Sequence, residues 1–122
     1  MRHLAGLFLL LVAGPLAAQE HSCDGAETQI DLNECSYAAW EQADVELNEA
    51  YAAAMGVVEA YGEPAQEAFR DAQRAWIAFR DADCAAEAAL WEGGSAEPMV
   101  LYGCLEAITV QRTDDLWAIS ER

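Results

Sequence analysis

The sequence predicts an all-α protein, an antiparallel three-helix bundle cross-linked by two disulfides. Three observations predict it. Apolar residues recur at helical spacing through three long segments, glycines at Gly62 and Gly93-Gly94 separate those segments, and the chain of 122 residues carries four cysteines. No segment shows the alternation of a strand, and there is no internal repeat or low-complexity linker.

The first helix begins near Thr28. Leu32, Cys35, Ala39, Ala43, Leu47, Ala50, Tyr51, Ala54 and Val58 form a helical stripe through alanine-rich sequence of good propensity. It stops at Tyr61-Gly62, where Gly62 suits a left-handed cap and Pro64 the first turn of the next helix. The second helix, Pro64 to Trp91, is built around Ala72-Gln73-Arg74-Ala75-Trp76-Ile77-Ala78-Phe79-Arg80-Asp81-Ala82-Asp83-Cys84. Ala72, Trp76, Phe79 and Asp83 recur at helical spacing, with Trp76, Arg80 and Cys84 on a neighbouring line, so a wide buried face is expected. The third helix runs to about Ile119, with Ser95 as N-cap and Pro98 in its first turn. Leu101, Leu105, Ile108, Arg112 and Leu116 share one face.

The N-terminus reads as an export leader. Met1-Arg2-His3 precedes an apolar run from Leu4 to Ala13, then Gly14-Pro15 and the small pair Ala17-Ala18, which places a signal peptide at 1–18 and one helical domain at 19–122. The run is too short to span a bilayer. Glu20-His21-Ser22 before Cys23 is not a lipid-attachment signal, so no stable membrane insertion is expected. Export accounts for Cys23, Cys35, Cys84 and Cys104 as two disulfides, because no pair has the close spacing of zinc ligands. Each would stabilise a domain of this size by roughly 3 to 4 kcal/mol on the chain-entropy model. The bundle brings all four cysteines to one end. Cys23 with Cys84 and Cys35 with Cys104 is the preferred pairing, with the swapped pairing nearly as well accommodated, since connectivity does not follow from sequence.

Loss of Arg2 with the leader takes the formal net charge from −16 to −17. Such a chain repels nucleic acid and anionic membranes and attracts a basic protein partner, although acidity also serves solubility alone. Catalysis has little support: the one histidine of the mature chain is His21 in the N-terminal lead, and oxidised cysteines are not nucleophiles. No catalytic residues, cofactor or metal site is expected. Asp44 and Asn48, one turn apart on the first helix, can face Arg80 and Arg112 as a structural polar network, with an anion pocket as the functional alternative. Trp76 is read as core.

In order along the chain, Cys23, Thr28-Gln29, Asn33, Cys35, Ala43-Asp44, Glu46-Leu47-Asn48 and Tyr51 are followed by Ala72-Gln73-Arg74-Ala75-Trp76. Phe79-Arg80-Asp81, Cys84, Gly93-Gly94-Ser95, Cys104, Thr109, Arg112 and Leu116 complete a set that resembles the lysozyme inhibitor LprI family. The resemblance covers nearly all of the mature chain. It implies a periplasmic or secreted protein that binds and inhibits lysozyme, the expected basic partner. The segment from Trp91 to Glu97 is the first choice of contact surface, with Trp91 as an anchor, Glu92 and Glu97 meeting cationic groups, and Ser95 within the loop. The competing expectation is a periplasmic structural or stress-related helical module with another partner, and a weaker one is a small-ligand carrier.

Overall fold

Thr28 starts the first helix through a reciprocal pair of hydrogen bonds. Its Oγ1 accepts from the Asp31 N–H at 3.1 Å, and its own N–H donates to Asp31 Oδ2 at 3.0 Å, a capping box that satisfies two otherwise unpaired donors. The computed structural model describes residues 23–122, and from this cap α1 runs Gln29–Val58, prolonged by a 3-10 turn over Glu59–Tyr61. The proposed leader, its cleavage point and His21 lie outside the described residues.

Gly62 ends this segment with φ 90° and ψ 175°. That is the mirror-image extended region rather than the expected left-handed helical cap, and a side chain there would be strained. α2 follows at once, Glu63–Ala89, with Pro64 in its first turn where no N–H is needed. α3 spans Glu97–Ser120, so the three helices match those expected, and no strand occurs among the described residues. Ser95 is not its N-cap, however. Ala96 holds that position, and the Ser95 carbonyl instead accepts from Asn33 Nδ2 on α1 at 3.0 Å.

Residues on either side of each turn meet across it. Tyr51 stacks on Phe69 with centroids 5.2 Å apart across the Gly62 turn, while Arg112 reaches Gln73 across the later one. The helices therefore alternate in direction, with α1 and α3 parallel and α2 antiparallel to both. α1 and α3 pack along most of their length, because the buried line of α1 is Ala43, Leu47, Ala50 and Ala54, whose small members let backbones approach. The facing line on α3 is Leu105, Thr109, Thr113 and Leu116. Thr113 satisfies its buried hydroxyl by donating to the Thr109 carbonyl at 2.8 Å.

α2 packs mainly on α3 and touches α1 far less, and Trp76, Phe69 and Tyr51 pack against the buried cluster of α1 and α3. The buried residues of α2 are Gln73, Arg80, Cys84 and Ala88, an arc of roughly 80° at 100° per residue. The wide buried face expected for this helix is thus absent: Ala72 and Asp83 are exposed, and Phe79 is 60% exposed. Trp76 is half-buried and packs against the cluster of Leu47, Ala50, Ala54 and Leu116.

The cysteine pairing also differs from the expected one. Cys23 bonds Cys35 with Cα atoms 5.7 Å apart, and Cys84 bonds Cys104 at 5.5 Å. A turn in which the Gly25 and Ala26 N–H groups donate to the Cys23 carbonyl folds the lead back onto the first turns of α1, so Cys23 meets its sequence neighbour. Cys84 lies on the narrow line of α2 that faces α3, at the height of Cys104, and is fully buried there.

Candidate functional site

The polar centre of the bundle is built on Arg80, whose side chain is 7% exposed. Its Nη1 donates to Asp44 Oδ1 on α1 and to Thr109 Oγ1 on α3, each at 3.3 Å, and its Nε donates to Asp81 Oδ1 at 3.0 Å. One guanidinium thereby ties all three helices. It also lies over the Trp76 ring, 5.2 Å from the centroid, and the half-buried Arg112 guanidinium lies 5.9 Å from the same ring. Arg112 donates through Nε to Gln73 Oε1 at 3.0 Å, a residue sequence reasoning did not single out, although it precedes Arg80 by seven residues on the same face. Asn48 is exposed and bonded to neither arginine. The arrangement is a set of charge-assisted bonds that fixes helix rotation, with Arg80 engaged on both Nε and Nη1.

The connection between α2 and α3 has a different character. Leu90 is 83% exposed and Trp91 53% exposed, beside exposed Glu92. The turn closes through the Gly94 N–H, which donates to the Trp91 carbonyl at 2.9 Å, and through Glu97 Oε2, which accepts from the Gly93 N–H at 3.2 Å. Gly93 has φ 78°, a conformation side chains resist. Of the four loop residues, Trp91 and Glu92 face solvent, Glu97 holds the loop's shape, and the Ser95 carbonyl anchors it to α1. Gln29 adds a weaker tie from α1, with Nε2 3.7 Å from Met99 Sδ.

A cluster that sequence reasoning left unplaced lies between α1 and α3. Trp40 stacks on Tyr102 with centroids 5.6 Å apart, and Tyr37 meets both rings edge-on. The Tyr37 hydroxyl donates to Glu41 at 2.8 Å, and that bond raises its pKa above the ordinary tyrosine value. A cleft of about 400 Å³ is lined by Trp40, Arg80, Asp81, Leu101, Tyr102 and Leu105. The spacing of Tyr37 and Trp40 by three placed them on one helix face, but their partner Tyr102 is far off in sequence.

Among the described residues no group of three or more histidine, cysteine, aspartate or glutamate side chains is placed to hold a metal ion. No helix among them is long and apolar enough to cross a membrane. The two disulfides fit a location outside the cytoplasm.

An uncharacterized protein of Rhizobium meliloti (strain 1021), R02472, is 40% identical over 93% of this chain and 90% of its own length. No solved structure matches. The family model described as lysozyme inhibitor LprI matches residues 20–116. With the match extending from before Cys23 to Leu116 at the core of α3, the chain belongs to the lysozyme inhibitor LprI family.

Proposed function

We propose that this protein is exported, loses a leader at residues 1–18, and inhibits lysozyme by occluding the enzyme through protein–protein contact. Membership of an inhibitor family supports the role, and one observation carries the mode of action. Leu90 and Trp91 project at the tip between α2 and α3, beside Glu92, on a turn held by backbone and Glu97 bonds. An exposed aromatic on a fixed turn within an acidic surface suits a concave site on a basic protein: the ring supplies buried area and the charges speed encounter. The chain's net charge of −16 before leader removal gives steering over the whole molecule.

The test is titration of a basic lysozyme with the oxidised protein at low and moderate salt, beside an equally acidic unrelated protein. Saturation at a definite ratio, beyond the control and with association slowed by salt, supports inhibition by occlusion. Equal inhibition by both proteins, abolished by salt, would reduce the effect to charge and leave an envelope module with another partner.

A further inference from the structure

The helix that contributes least to the bundle carries the most exposed aromatic side chain of the three α-helices. Phe79 on α2 is 60% exposed, and Leu90, where the helical backbone ends, is 83% exposed. At 100° per residue these two positions lie within about 20° of one line, separated by about 16 Å along the axis. Ala86 falls on that line and Ala82 borders it, both exposed, so nothing tall stands between the two large side chains. Trp91, next in the chain after Leu90, is also exposed, about 100° further round. Of the ten large hydrophobic residues exposed on the described chain, Phe79 and Leu90 share this line, whereas Ile77 lies about 160° away around α2. Two large apolar side chains on one exposed helix line with only alanines between them mark an interaction surface rather than ordinary scatter.

The charges around the strip identify what can cover it. Asp83 and Glu87 border one side and Asp71 the other, all exposed, whereas Arg70 and Arg74 point more than about 120° away from Phe79 around the helix. A second copy meeting this face through a two-fold axis would set these carboxylates near their own copies. A basic partner would neutralise them while burying Phe79 and Leu90.

We infer that the outward face of α2, Phe79 with Ala82, Ala86 and Leu90, forms a docking surface for a basic protein, with Trp91 exposed at its end. The identification of that protein with lysozyme rests on the inhibitor reading above. On this geometry the loop is the end of the contact and α2 is its body.

The experiment measures the dissociation constant of the oxidised protein for a basic lysozyme, with wild type, Phe79→Ala, Ala86→Arg, and Val110→Arg on α3 as control. Arginine is a good helix former at an exposed site, so circular dichroism should show unchanged helicity for the Ala86 variant. Ala86→Arg places bulk and positive charge in the strip. It and Phe79→Ala should each weaken binding by roughly tenfold or more, as loss of a central anchor does, while Val110→Arg leaves it unchanged. Wild-type binding that survives both strip variants within about twofold would overturn the docking surface and leave the inhibitor reading standing. No wild-type binding at all would overturn both. Sedimentation of the protein alone completes the test: a dimer abolished by Ala86→Arg would assign the face to a second copy and overturn the basic partner.

Discussion

Arg80 Nη1 and Asp44 Oδ1 are 3.3 Å apart across the gap between α2 and α1, and the same nitrogen is bonded to Thr109 on α3. The cation is buried while both its carboxylate partners remain partly hydrated, at 41% exposure for Asp44 and 57% for Asp81. Removing either carboxylate leaves the other, but removing the cation loses every bond at once. Asp44→Ala should therefore cost about 1 kcal/mol, as a partly screened pair does. Arg80→Ala should cost about 3 kcal/mol, since bonds to a charged group are lost together with buried stem area. Urea unfolding measures both, and equal costs would show that Asp44 alone holds the cation.

Both guanidinium groups lie within cation–π distance of the half-buried Trp76 ring. Trp76→Ala should cost about 2 to 3 kcal/mol, below the ~3 to 5 kcal/mol of a fully buried aromatic truncation. A double-mutant cycle with Arg112→Ala should return a coupling of roughly 0.5 to 1 kcal/mol, the usual worth of a cation over an indole. A coupling of zero would mean that the ring serves only as bulk.

The disulfides close short loops, with sequence separations of 12 and 20, so each should contribute about 3 kcal/mol on the chain-entropy model. Their accessibility differs. Cys23 is exposed, whereas Cys84 is fully buried between α2 and α3. Mild reductant should open Cys23–Cys35 first, loosening the lead with the helices retained, and reach Cys84–Cys104 only on wider unfolding. Mass mapping of alkylated cysteines at intermediate reduction checks the order, and simultaneous loss of both would contradict it.

Asp31 is held below the ordinary aspartate pKa, first by the Thr28 side chain and then by the backbone N–H groups of Thr28 and Glu27. Its folded pKa is depressed, so its contribution is complete above the unfolded value of about 3.9 and disappears as pH falls through the folded one. Amide protection at the start of α1, measured against the intrinsic exchange rate, should fall on acidification through that range, and Thr28→Ala, which removes the side-chain bond but keeps the backbone donors, should lessen the dependence. Unchanged protection would show that the helix end is held without the box.

The loop separates an anchor from its support. Trp91→Ala should weaken lysozyme binding with full helicity, because the ring is 53% exposed. Glu97→Ala should loosen the turn by freeing the Gly93 N–H, raising amide exchange there. Binding unaffected by Trp91→Ala in a correctly folded variant would remove the loop from the contact.

The sequence by itself determined the helices, most of their ends, the presence of two disulfides and the family. Those features are written locally: Thr28 with Asp31 sets a cap, Gly62 and Gly93 set turns, and apolar periodicity sets helix type. Only the tertiary structure decided which line of α2 faces inward, how the cysteines pair, and that Gln73 rather than Asn48 bonds Arg112. The physical reason is alanine. α2 carries alanine on nearly every side, and a methyl group fits a helix interface or solvent almost equally well, so its pattern leaves rotation about the axis open. Rotation was fixed by the groups that could not be left unpaired, above all the Arg80 guanidinium, whose partners Asp44 and Thr109 lie on the other two helices.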